Sequence, residues 1–177
     1  MSVRLMLAGV LVVALMGMGV SAGAQQTPGS ASPLAACGPD GTQFKTSRGA
    51  LGDTTASESA DKATVYVIES YDPRRGRVFS RPPVRIGMGG VWMGALEEFS
   101  YVRFSAEPGT RHVCAQWSSH GNPTQDASLF NFDVEAGKTY YLRVQITPDF
   151  SVDMQPVSTD EGRFLVGATA LSVSHAK

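Results

Sequence analysis

The chain has 177 residues, 42% of them hydrophobic and 18% charged, with a formal net charge of −1 at pH 7. That length suits one domain with a substantial core. The near-neutral balance provides no electrostatic case for nucleic acid as a partner.

The first 24 residues have the three parts of an export signal. Arg4 is the only charge before residue 25, Leu5 to Val20 is an apolar run broken only by glycine, and Ala22-Gly23-Ala24 supplies small residues before a cut that makes Gln25 the new N-terminus. An uncleaved anchor is the alternative, but a spanning helix needs roughly 20 apolar residues and this run is shorter. The segment Leu34-Ala35-Ala36-Cys37 has the pattern of a bacterial lipid-attachment site, so a lipid anchor at Cys37 is the competing localisation. Gln25, Gln26, Pro28 and Pro33 separate it from the apolar run, which argues instead for a solvated linker. Cleavage leaves 153 of the 177 residues, with 14 basic against 16 acidic side chains and so a charge of −2. The expected compartment is periplasmic or extracellular, and the membrane is met only through the signal before cleavage.

Residues 25–61 are rich in Ser, Thr, Gly, Ala and Pro and read as a flexible arm, with Gln43 to Thr46 a candidate short strand. Cys37 lies in this arm. It and Cys114 are the two cysteines. In an oxidising compartment an even count favours a disulfide. The bridge would close a loop of about 77 residues and contribute on the order of 4.5 kcal/mol in the chain-entropy model.

From Thr64 the pattern becomes period two. Val65, Val67 and Glu69 oppose Tyr66, Ile68 and Ser70, the mark of a strand with at least one buried face. Val84 to Met88 and Val91 to Met93 flank Gly89-Gly90 as a hairpin. Phe99 to Ala106 and Arg111 to Ser118 flank the turn at Pro108-Gly109. Ser128 to Val134, Thr139 to Ile146 and Val152 to Val157 complete the strands. Ser158-Thr159-Asp160-Glu161 has capping-box spacing and predicts one short helix. Strands at 8–12-residue spacing with turn residues between them predict an all-β sandwich or barrel of about 7–9 short strands over residues 62–177, ending in a short helix and a tail.

Several phrases resemble a family of exported bacterial proteins designated domain of unknown function 2846. They are Lys62 to Ile68, Val91-Trp92-Met93-Gly94, Glu107-Pro108-Gly109 with His112 to Trp117, and Glu135 to Tyr141. The Cys37-Gly38-Pro39 start and the Ser172 to His175 end are similar to acidobacterial members. The resemblance covers roughly residues 62–166, about one domain. It implies a prealbumin-like or immunoglobulin-like β-sandwich in the cell envelope, and no catalytic residues.

The residues themselves define no catalytic set, no metal site and no cofactor. His112, His120 and His175 lack the spacing of a helical zinc site. His120 with Asp126 is the best acid/base pair, and two candidate ligands do not make a site. There is no Gly-x-Ser-x-Gly elbow. The unusual charge feature is Arg74, Arg75, Arg77, Arg81 and Arg85. With Lys62, and against Glu69 and Asp72, residues 62–85 carry six positive and two negative charges, or +4. This is a solvated loop or an anion-binding edge that faces acidic glycan or lipid headgroups. Trp92, Trp117, Tyr71, Tyr101 and Tyr141 are candidates for a sugar-stacking face or for core. The expected function is therefore a non-enzymatic envelope module that binds an acidic envelope polymer or another envelope protein. The alternative is a small envelope hydrolase with a site assembled from loops.

Overall fold

A computed structural model describes residues 36–52, 59–70, 82–117, 126–147 and 151–177. Two antiparallel-rich sheets face each other. The six-stranded sheet has the order β1-β10-β5-β2-β8-β9 and the four-stranded sheet the order β4-β3-β6-β7. In chain order these are β1 (Phe44–Leu51), β2 (Ala63–Glu69), β3 (Val84–Met88), β4 (Val91–Leu96), β5 (Ser100–Ala106), β6 (Gly109–Trp117), β7 (Asp126–Val134), β8 (Thr139–Ile146), β9 (Val152–Pro156) and β10 (Ala170–Ala176), with helix α1 (Thr159–Ala168) between β9 and β10.

The expected all-β sandwich with a C-terminal helix is what the chain forms. The described residues contain ten strands, against the 7–9 expected. The two ends of the chain account for the difference. Strand β1 (Phe44–Leu51) takes in the candidate strand at Gln43 to Thr46 and extends it into the stretch expected to be a flexible arm; it pairs antiparallel with Ala170–Ala176, expected to be tail. Neither segment shows clear alternation, because β1 is exposed along most of its length and β10 buries small side chains.

The interior follows from period-two patterning. Val65, Val67, Val102, Leu142 and Val144 of the larger sheet meet Val84, Ile86, Val113, Ala115 and Trp117 of the smaller one. Strand β2 is buried on both faces. It lies at the middle of the larger sheet, in parallel pairing with β8, and its other face lies under α1. There Tyr66, Ile68, Tyr101 and Tyr141 pack with Leu165 and Val166 as a second core. The rings of Tyr66 and Tyr141 stack at 5.1 Å. The helix begins where the capping-box spacing places it. The Ser158 side chain accepts from the Glu161 N–H at 3.2 Å, which satisfies one of the unpaired donors of the first turn.

One side of the sandwich is closed by hydroxyls. Ser172 Oγ donates to the Ala95 carbonyl at 2.6 Å, and the Ala95 N–H donates to Ser174 Oγ at 3.2 Å. Thr46 Oγ1 donates to Glu97 Oε1 at 2.8 Å on the same side. These bonds give edge strand β4 partners that a ladder would otherwise supply.

Candidate functional site

The Cys37–Cys114 disulfide is present, with the Cα atoms 5.6 Å apart. Cys114 lies on the outer face of the smaller sheet, opposite Gly87 of β3. The bridge holds residues 36–42 against that face. Three hydrogen bonds complete the docking. The Gly90 N–H donates to the Ala36 carbonyl at 2.8 Å, Trp92 Nε1 to the Pro39 carbonyl at 2.9 Å, and Arg85 Nη1 to the Thr42 carbonyl at 2.7 Å. Arg85 also stands 4.9 Å from the centre of the Trp92 ring, within cation–π range. Burial lowers the Arg85 pKa, opposed by Asp40. Arg85 thus docks the arm. Arg74, Arg75, Arg77 and Arg81 lie outside the described residues.

The bridge is chemically incompatible with the lipid-anchor alternative. A sulfur bonded to another sulfur cannot also carry a thioether, and Cys37 is completely buried.

His112 and His175 do not converge. His112 is on β6, hydrogen-bonded through Nδ1 to Asn131 Oδ1. His175 is on β10 in the other sheet, opposite Lys45. His120 lies outside the described residues, as does the side chain of Asp126. Among the described residues no group of three His, Cys, Asp or Glu side chains is placed to hold a metal ion. The five aromatics do not form one face either. Trp92 packs with the arm, Trp117 is in the inter-sheet core, Tyr101 and Tyr141 are under the helix, and Tyr71 lies outside the described residues.

The structure opens a different place. Strand β9 stops at Pro156, and the chain turns into α1 at Ser158. β8 begins at Thr139 and β7 runs to Val134, so the first residues of β8 and the last of β7 pass beyond the cover that β9 provides. A groove of about 400 Å³ lies there. Its walls include Phe130, Phe132 and Tyr140, all partly exposed. Phe132 and Tyr140 meet edge to face at 5.1 Å, and Phe130 and Phe132 are tilted at 5.6 Å. Thr139, Ser158 and Thr159 add hydroxyls, and among the described residues no charged one lines the groove. The Glu135 N–H donates to the Tyr140 hydroxyl at 3.0 Å, which leaves the phenolic proton to donate elsewhere. The sequence signal for this place was the pair Phe130 and Phe132 on one face of β7. Nothing in the local sequence shows that the interior is open beside them.

The class is therefore an all-β sandwich with a disulfide-anchored N-terminal segment and an open aromatic groove at one corner. Compared with known proteins, no family model matches the chain, and no curated protein or solved structure matches it significantly.

Proposed function

We propose that this chain is an exported, non-catalytic cell-envelope module that binds a neutral, ring-shaped ligand, a pyranose unit of an envelope glycan, in the Phe130–Phe132–Tyr140 groove. The observation that carries this reading is the lining: aromatic rings beside hydroxyls, with no charge among the described residues. Pyranose rings present C–H faces to aromatic rings and hydroxyls to polar side chains. The groove volume of about 400 Å³ is in the range of small-ligand sites. Export is supported by the three-part N-terminus and by a disulfide, which persists in oxidising compartments. The resemblance to an exported family agrees with it.

The experiment is a titration of the mature protein with soluble peptidoglycan-derived disaccharides and neutral oligosaccharides, followed by NMR of the Phe and Tyr rings. Saturable shifts are expected at Phe130, Phe132 and Tyr140. Phe132→Ala should weaken binding roughly 3- to 10-fold, since an aromatic contact contributes about 0.5–1.5 kcal/mol beyond area burial. The sugar should be recovered intact after prolonged incubation. Absence of binding across the series would overturn the reading, and cleaved sugar would replace it with the hydrolase.

A further inference from the structure

A β-sandwich has strand edges that carry unpaired N–H and C=O groups, and exported proteins must keep these from pairing at random. Among the described residues four strands end the sheets: β1 and β9 in one, β4 and β7 in the other. Three of them are blunted. β4 receives the hydroxyls of Ser172 and Ser174 and, through Gly90, the carbonyl of the disulfide-held arm. β1 carries Lys45 and Arg48 and has a register break between Arg48 and Leu51. β9 is five residues long and ends on Pro156.

Among the described residues β7 has none of these devices. All nine of its residues pair with β6 without a register shift. It contains no proline, lysine or arginine, and its only charges are Asp126 and Asp133 near its ends. Leu129, on the outer face, is 48% exposed. β9 packs against β6 and β7 from the opposite sheet and forms no ladder with β7. A long, regular edge with charges only near its ends and an exposed leucine is the surface that a second strand pairs with.

We propose that β7 is a dimerisation edge. Two copies pair antiparallel through Asp126–Val134 about a twofold axis at Phe130, which joins two four-stranded sheets into one of eight. The occupant is a second copy because the strand is complementary to itself. Side chains alternate between faces, so antiparallel self-pairing keeps the inner face inward only when residues of like parity stand opposite each other. Of those registers, the one centred on Phe130 uses the whole strand. It sets Leu129 opposite Asn131 of the second copy and Asp133 opposite Ala127, so no two like charges face each other. The contact is isologous and closes as a dimer. It does not rest on the glycan reading, because it is argued from the backbone edge and outer face of β7, although Phe130 and Phe132 of the same strand also line the groove.

The register determines the test, which is sedimentation equilibrium of the mature protein with its disulfide intact. The wild type should be a concentration-dependent dimer. Leu129→Lys with Asn131→Lys places lysines opposite lysines on the exposed face and should leave a monomer. Leu129→Lys with Asn131→Glu places each lysine opposite a glutamate and should restore the dimer, and it also shows that substitutions at these sites are compatible with folding. A mixture of the double-Lys variant with a double-Glu variant should form a heterodimer that neither forms alone. A wild type that stays monomeric up to its solubility limit would overturn the proposal. So would a dimer indifferent to these changes, or a charge-swapped variant that folds but does not associate.

Discussion

Gly87 and Cys37 are in direct backbone contact: a Cβ placed on Gly87 would stand 2.0 Å from the Cys37 carbonyl oxygen. Gly87 is opposite Cys114 in the β3–β6 ladder, and Cys114 holds Cys37. The bridge and the missing side chain therefore act on the same spot. Gly87→Ala forces the arm off the sheet or bends β3. The expected cost is about 1–3 kcal/mol, the usual range for overpacking. A thermal melt and the fraction of free thiol after oxidative refolding check it. An unchanged melt with a fully formed bridge would refute the contact.

Cys37→Ser should melt lower yet still fold. The inter-sheet core is built from β2 onward and contains no residue of the arm. The expected loss is about 2–3 kcal/mol, the lower half of the usual range for a native disulfide. For a domain of this size that is a drop of roughly 4–12 °C in Tm. Non-reducing peptide mapping of the wild type should find the Cys37 and Cys114 peptides linked.

Gly162→Ala reverses the ordinary rule for helices. Alanine in a helix interior is favoured over glycine by about 1 kcal/mol. Here a Cβ would stand 2.1 Å from Cγ of Tyr141, the ring on which α1 rests. The variant should be less stable than wild type and should show altered tyrosine near-ultraviolet circular dichroism. Ser158→Ala, which removes only the cap, should cost about 1 kcal/mol and leave that signal in place. A stabilised Gly162→Ala would mean that the helix does not lie on Tyr141.

Cleavage after Ala24 predicts an exported protein that begins with Gln25, cyclised to pyroglutamate. Intact mass spectrometry reads this directly. The mass should also lack two hydrogens for the bridge. A protein that begins at a diacylglyceryl-modified Cys37 would contradict both the cut and the disulfide.

Local pattern was enough for most of this molecule. Alternation over Thr139 to Ile146 marked β8 at its true ends, the two glycines at 89 and 90 marked the β3–β4 turn, where both φ values are positive (61° and 79°), and Ser158 to Glu161 marked the start of α1. These features arise from residues a few positions apart, so neighbours along the chain decide them. An even cysteine count was enough to pair Cys37 with Cys114, because only one internal pairing exists. Tertiary structure decided what depends on residues far apart. β10 is a strand because Ser172 and Ser174 find Ala95, nearly 80 positions away in sequence. β2 is buried on both faces because a helix that begins at Thr159 lies over it. Phe130 and Phe132 line a groove because β9 stops at Pro156 while β7 and β8 continue. Whether an apolar face is covered depends on where another strand ends, and a strand's own sequence carries no record of that.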